Sequence, residues 1–156
     1  EHAVILDPIR REEFTASRGR GAQVNGRRVR VTMNGSLEGA LIGTGIPFKA
    51  RSEEHIPAYM RSLEAVAGET AGIRRAGAAS LDLAYVAAGR LDGFWEIGLN
   101  KWDIAAGILL VREAGGLVSD FNGGGTYYET GNIVAANPKC LKGILQAIRP
   151  HLENIR

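Results

Sequence analysis

The sequence predicts a mixed α/β fold in which an antiparallel meander precedes alternating strands and helices. Short strand-like runs separated by turn residues fill the first thirty positions. From residue 40 onward, runs typical of strands alternate with runs of helical period. With 156 residues, 45% hydrophobic and 23% charged, the chain has the size and composition of a globular domain that can bury a substantial core.

The meander is predicted from its turns as much as from its strands. Asp7-Pro8 and Asn25-Gly26 are turn signals, and Gly19 and Gly21 break the chain between them. The predicted strands are residues 2–7, 12–17, 22–24 and 27–31. The last of these alternates charge and valine, as an exposed edge strand does.

The remaining elements follow a polar connection over residues 32–38. Helices are expected to stop at Gly68, Gly89 and Gly115-Gly116, and Pro138 is expected to open the last one. The predicted strands are residues 40–44, 72–75, 91–97, 117–121 and 132–136. The predicted helices begin at Ser52, after Gly77-Ala-Ala-Ser80, at Asp103 and at Pro138.

The bulk charge and the cysteine content exclude several classes of function. The formal net charge is +2, and its one local excess is Arg18, Arg20, Arg27, Arg28 and Arg30. This pattern favours a solvated strand edge over a nucleic-acid surface. The single cysteine has no internal disulfide partner and no Cys/His cluster for zinc, and no apolar run approaches the ~20 residues of a membrane span. A cytoplasmic protein is predicted.

The segment from Gly93 to Gly116 contains the most informative chemistry. It places two carboxylates, Glu96 and Asp103, around a passage from an apolar strand into a helix. The free N–H groups and the positive end of the helix dipole at the start of a helix can hold a phosphate. Because a carboxylate repels a phosphate, placing the two side by side requires a cation between the carboxylate and the phosphate. Oxygen ligands suit a hard metal ion. The segment therefore indicates metal-dependent phosphate chemistry, with a plain helix N-cap as the alternative for Asp103.

Neighbouring residues leave further alternatives open. Glu96, if buried, needs a partner, which is either an arginine or a substrate hydroxyl. The small residues Gly77, Ala78 and Ala79 serve either close packing or the approach of a ligand to the backbone. Trp102 is expected to pack and fix the turn. Asp82 and Asp92 are expected to be solvated or capping.

With these residues in hand, the chain closely resembles the inositol monophosphatase family, nearest its bacterial extragenic-suppressor type. The segments that carry the resemblance span residues 14–26, 75–93, 102–107 (Trp-Asp-Ile-Ala-Ala-Gly) and 113–116 (Glu-Ala-Gly-Gly). The resemblance implies the layered αβαβα sugar-phosphatase fold, a homodimer, and Mg²⁺-dependent, lithium-sensitive hydrolysis of a phosphate monoester, foremost inositol 1-phosphate. Related sugar or nucleotide phosphates remain alternatives.

The resemblance also implies roles for individual residues. Asp103 matches a metal ligand, Glu96 matches the residue that holds substrate hydroxyls, and Gly77, Ala78 and Ala79 match the backbone that lines the substrate pocket. A further alternative is a regulatory protein that binds transcription or ribosomal-RNA maturation machinery through the arginines between positions 18 and 30.

The chain departs from the family pattern in its first part. The family's Glu-Glu pair and Asp-Pro-Ile/Leu-Asp-Gly-Thr segment are absent, and Asp7-Pro8-Ile9 is followed by Arg10-Arg11. The chain, which starts in a strand without a methionine, is therefore expected to be the C-terminal portion of a longer protein. Residues 1–36 would close an N-terminal metal-binding domain, and residues 37–156 would form a C-terminal α/β domain. No catalytic set is complete, so the chain alone is expected to hydrolyse nothing measurable.

Overall fold

The computed structural model describes residues 1–47, 53–152 and 154–155, and it contains two β-sheets with helices between and beside them. The strands are β1 His2–Asp7, β2 Glu12–Ser17, β3 Gly21–Val24, β4 Arg27–Val29, β5 Leu41–Thr44, β6 Gly72–Arg74, β7 Gly93–Glu96, β8 Leu117–Ser119 and β9 Ile133–Ala136. The α-helices are α1 Ile56–Glu69, α2 Ala79–Ala87, α3 Lys101–Glu113, α4 Tyr127–Thr130 and α5 Pro138–Leu152. A 3₁₀ turn, Glu53–His55, precedes α1, and the predicted helix start at Ser52 lies outside the described residues.

The first sheet is the predicted antiparallel meander, in the order β1-β2-β3-β4. Asn25 and Gly26 both adopt positive φ, 48° and 76°, so the hairpin turn has the twist that flanking strands favour. The last strand ends at Val29, two residues before the predicted end. The amide of Val31 instead donates to the carbonyl of Ala114 at 3.1 Å, which draws the chain away from the sheet and onto the end of α3.

The second sheet has the order β6-β5-β7-β9-β8. Strands β6, β5 and β7 are parallel to one another, whereas β9 is antiparallel to both β7 and β8. All residues of β7 and β9 are buried, as expected for central strands with both faces covered. The three parallel strands therefore end at the same edge of the sheet.

The layers follow the order meander, α2 with α3, second sheet, α1 with α5. Phe14, Leu83 and Ile104 belong to the core between the two sheets, and Tyr59 and Trp95 belong to the core on the far side of the second sheet. The mixed α/β class predicted from the sequence is confirmed. None of the described helices has both the length and the apolar composition that a bilayer span requires.

One glycine sets how closely the two central helices pack. A Cβ atom at Gly107 of α3 would lie 2.5 Å from the Cβ of Leu83 in α2, so only glycine permits this approach without a shift. The N-termini of α2 and α3 are thereby held side by side above the second sheet. The short helix α4 was not predicted, because four residues are too few to show helical periodicity.

Candidate active site

The five residues predicted as site residues, Gly77, Ala78, Ala79, Glu96 and Asp103, line one cavity of about 230 Å³. We call this cavity the strand-end pocket, lined by residues 44–46, 75, 77–80, 82, 96, 99 and 103. The structure thus brings together residues that are up to 26 positions apart in the sequence, counted from residue 77 to residue 103.

Parallel strands place the pocket where it is. Thr44 ends β5, Glu96 ends β7 and Arg75 directly follows β6, so their side chains meet at one edge of the sheet. The N-termini of α2 and α3 cover that edge. Ligands of open parallel sheets bind outside the carboxyl ends of the strands, and the strand-end pocket occupies this position.

Glu96 is buried in the pocket wall with only 6% of its surface exposed. A Cβ atom at Gly45 would lie 2.0 Å from Glu96 Cδ, so the carboxyl group occupies space that only glycine leaves free. No donor within the described ranges bonds to this carboxylate, and Arg75 forms no ion pair with it. The pKa of Glu96 is raised to about 7, first by burial and then by the negative charges of Asp82 and Asp103, with Arg75 opposing the shift.

Asp82 is the second buried carboxylate, with 1% of its surface exposed, and the prediction that it is solvated or capping is wrong. It is the fourth residue of α2, and its Oδ1 has no hydrogen-bond partner in the part of the chain that the structure describes. Burial raises the pKa of Asp82 to about 6, with Arg75 opposing. Its i,i+4 spacing from the apolar Val86 is the sequence signal that could have indicated a buried position. By contrast, Asp92 accepts hydrogen bonds from Thr32 Oγ1 and the Leu41 amide, which is a structural role.

The start of α2 supplies donors to the same pocket. Ala78 precedes the helix in an extended conformation, and no side chain of the described residues caps this helix start. Gly77 has φ +93°, a conformation that favours glycine. Gly77, Ala78, Ala79 and Ser80 at the start of α2 line the pocket together with the carboxylates, and the first N–H groups of a helix have no partner within the helix.

Asp103 lies two residues inside α3, because the helix begins at Lys101 and not at Asp103 as predicted. Asn100 is the N-cap, so the N-cap position predicted as the alternative for Asp103 is wrong, but Asp103 helps to cap the helix as the third helical residue in a capping box. The Oδ2 atom of Asp103 accepts hydrogen bonds from the Asn100 amide at 3.0 Å and from Asn100 Nδ2 at 3.3 Å. Trp102 is 77% exposed, so the prediction that it packs is also wrong.

A complete metal centre is not formed by the residues described. Across residues 1–47, 53–152 and 154–155, no group of three or more His, Cys, Asp or Glu side chains is arranged to hold a metal ion. Mg²⁺ requires near-octahedral oxygen coordination. Asp103 therefore fits one ligand position, and the described residues do not fit a whole magnesium site.

Comparison with known sequences decides the family. The sequence pattern of the inositol monophosphatase family matches residues 1–153. The chain belongs to the inositol monophosphatase family. It is 64% identical to the Nus factor SuhB of Pseudomonas aeruginosa over 152 residues, which cover 97% of this chain and 56% of that protein. It is 54% identical to the Nus factor SuhB of Escherichia coli K12 over 154 residues, covering 99% of this chain and 57% of that protein.

Solved structures of the inositol monophosphatase family share the fold. The extragenic suppressor protein suhB from Bartonella henselae superposes with a TM-score of 0.90 at 48% identity, covering 95% of this chain and 56% of that chain. Inositol monophosphatase from Anabaena (Nostoc) sp. PCC 7120 gives 0.89 at 36% identity, covering 95% and 60%. The family and the fold predicted from the sequence are thus confirmed. The chain spans somewhat more than half the length of these relatives.

The sequence of this inositol monophosphatase family member predicted part of the pocket lining and missed the rest. It did not predict Thr44, Gly45, Arg75 or Asp82 as pocket residues. Gly45 gave no signal, because its importance comes from contact with a glutamate far along the chain. Arg75 and Asp82 lie within the segment of residues 75–93 that carries the family resemblance, and this was the available signal.

Proposed function

We propose that this chain forms the alcohol-binding side of the active site of a Mg²⁺-dependent phosphate monoesterase whose substrate is inositol 1-phosphate. The observation that carries the proposal is the strand-end pocket, which is lined by the uncapped start of α2 and by two buried carboxylates, Asp82 and Glu96. Family membership supports phosphate ester hydrolysis, and an acceptor-rich wall supports an alcohol portion with several hydroxyl groups.

The charges of the pocket support separate positions for the hydroxyl groups and for the phosphate of the substrate. Among the described residues, the lining of this pocket includes the carboxylates Asp82, Glu96 and Asp103 and one arginine, Arg75. Such a wall repels a phosphate dianion unless a cation compensates. We assign the hydroxyl groups to Glu96, and the phosphate to the Asp103 side, where Asp103 contributes one ligand to Mg²⁺. The bound ion would supply the positive charge that the described residues lack.

The remaining ligands are assigned to a preceding segment of a longer protein, in which residues 1–36 complete a metal-binding domain and residues 37–156 form the second domain. The test measures phosphate release from inositol 1-phosphate, with and without Mg²⁺, by that longer protein and by the 156-residue chain. We expect Mg²⁺-dependent, lithium-sensitive release from the longer protein and none from the chain alone. Robust activity of the isolated chain would refute the assignment.

Two substitutions separate the assigned roles in the longer protein. Asp103→Asn is expected to lower kcat by at least about a hundredfold, because a metal ligand is lost. Glu96→Gln is expected chiefly to raise KM for inositol 1-phosphate. Loss of kcat alone in Glu96→Gln would contradict hydroxyl binding by Glu96.

A second function, binding to the transcription machinery, is supported by relatives that are named Nus factors and by an arginine-rich turn. Glu113 accepts hydrogen bonds from the amides of Gly19 and Gly21, both at 2.8 Å, and so fixes the β2–β3 turn on the end of α3. The fixed turn presents exposed Arg20, and Arg28 donates to the carbonyl of Arg20.

Charge reversal tests this second function. Arg20→Glu with Arg28→Glu is expected to abolish co-purification with transcription complexes and to leave phosphate release unchanged. Arg61→Glu, at an exposed position of α1, is the matched control. Retention of the complexes by the double variant would contradict a contact at this turn.

Sedimentation of the longer protein checks the homodimer that the resemblance implies.

A further inference from the structure

We propose that Asp82 is a specificity-determining residue whose carboxylate accepts a hydrogen bond from a second hydroxyl group of the substrate, beside the hydroxyl bound by Glu96. The inference rests on the proposed function and narrows its substrate class. It selects esters whose alcohol portion carries at least two hydroxyl groups on one small ring.

The Asp82 side chain is buried without a hydrogen-bond donor for one of its oxygens among the residues described. It is 99% buried and lies in the pocket wall, and the oxygen concerned is Oδ1. An ionised carboxylate is an acceptor only, and burial without donors costs free energy that folding does not recover. Asp82 is a lining residue of the pocket, so a hydrogen-bond donor of a ligand bound there would offset this cost.

The two carboxylates also lie beside neighbouring glycines of one short segment. A Cβ atom at Gly43 would lie 3.6 Å from Asp82 Oδ1, and a Cβ atom at Gly45 would fall on the carboxyl group of Glu96. Both side chains line the same cavity of about 230 Å³. Two acceptors in one small cavity suit two hydroxyl groups of one ring.

Arg75 is a described residue of the pocket wall and carries a positive charge. Its charge opposes the upward shift of both carboxyl pKa values, but it forms no ion pair with Asp82 or Glu96 in the described ranges. Both acceptors are therefore left for a ligand. A divalent cation held between them is the competing occupant, and the experiment distinguishes it.

The experiment replaces Asp82 in the longer protein with Leu, which keeps the branched shape and removes the acceptor, and with Asn, which keeps the volume and a neutral acceptor. Inositol 1-phosphate is compared with p-nitrophenyl phosphate, whose alcohol portion has no further hydroxyl. We expect KM for inositol 1-phosphate to rise about tenfold or more in Asp82→Leu and less in Asp82→Asn. The value of kcat/KM for p-nitrophenyl phosphate should stay within about twofold of the wild type.

A control variant and a direct binding measurement distinguish hydroxyl binding by Asp82 from the alternatives. Asp92→Asn removes a carboxylate outside the pocket and should leave the ratio between the two esters unchanged. Equal losses on both esters in Asp82→Leu would overturn the inference, as would an unchanged inositol KM with weakened Mg²⁺ binding by calorimetry. If the wild type hydrolyses neither ester, the proposed function fails. Binding of free myo-inositol to wild type and Asp82→Leu, followed by NMR, then decides the role of Asp82 on its own.

Discussion

Two carboxylates of this protein are equally buried and behave in opposite ways. Glu96 in the strand-end pocket and Asp120 in the turn of residues 120–126 each expose 6% of their surface. Asp120 accepts hydrogen bonds from the amides of Asn122, Gly124 and Thr126 and from the Thr126 hydroxyl, at 2.7–3.0 Å. Glu96 accepts none from the residues described.

The difference teaches that hydrogen-bond donors can outweigh burial in setting the charge state of a carboxyl group. Burial favours the neutral form of Asp120, but the hydrogen bonds of Thr126, Gly124 and Asn122 outweigh it and hold the pKa of Asp120 below its ordinary value. Without such donors, burial raises the pKa of Glu96 to about 7. The turn is complete within itself, whereas the pocket has the perturbed, unsatisfied acceptors typical of a ligand site.

The largest expected effect is a loss of stability when the carboxylate of the turn of residues 120–126 is removed. Asp120→Ala would leave three backbone amides and one hydroxyl without their acceptor, and should lower the free energy of unfolding by about 4 kcal/mol, about 1 kcal/mol for each hydrogen bond. Urea denaturation at pH 7 measures this. Asp120→Asn, which keeps an acceptor and loses the charge, should cost clearly less. A loss below about 1 kcal/mol in Asp120→Ala would show that the turn does not depend on this carboxylate.

The next effect is a pH dependence that comes from the pocket. The folded values for Glu96 and Asp82, about 7 and about 6, lie above their ordinary values of 4.5 and 3.8. The folded state therefore binds more protons than the unfolded state, and stability falls as pH rises through this window. Between pH 5 and 8 the wild type should lose about 3 kcal/mol more than the Glu96→Gln, Asp82→Asn double variant. Parallel pH profiles of the two proteins in urea denaturation would contradict the raised values.

A smaller effect tests the close contact that shapes the pocket. Gly45→Ala should displace the carboxyl group of Glu96 and destabilise the fold by about 2 kcal/mol, because the new Cβ atom would overlap it. Gly68→Ala is the matched control: it lies in α1 with nothing within 4 Å of an added Cβ atom, and should stabilise by about 0.5–1 kcal/mol. Thermal unfolding of both variants measures the contrast. Equal changes of the same sign in the thermal stability of both variants would contradict an overlap between a side chain at position 45 and the carboxyl group of Glu96.

The smallest effect has the opposite sign to the first. Glu96→Gln removes a buried charge but leaves an amide that also lacks partners in the described structure, so it should stabilise by about 1 kcal/mol at pH 8. At pH 5, where the wild-type carboxyl is neutral, the gain should vanish. Chemical denaturation at the two pH values checks this. Destabilisation at pH 8 would mean that the carboxylate is satisfied in the folded protein.

The sequence alone determined the order of elements, the meander and the family. Strand alternation, the Asn25-Gly26 turn and the glycines that stop helices act between neighbouring residues, so their signals are local and readable. The motif residues Glu96 and Asp103 were found for the same reason. The start of α3 was misplaced by two residues because Asn100 and Asp103 can each occupy the start of a helix, and only the hydrogen bonds between them assign the positions.

Only the tertiary structure decided the electrostatics of the pocket. Glu96 is held against Gly45, and Asp82 lies above Gly43, through the packing of β5, β7 and α2, which are distant in the sequence. The same packing excludes water from both carboxylates and raises their pKa values. Desolvation depends on everything that surrounds a group in space, and the neighbours of a residue in the chain do not specify it.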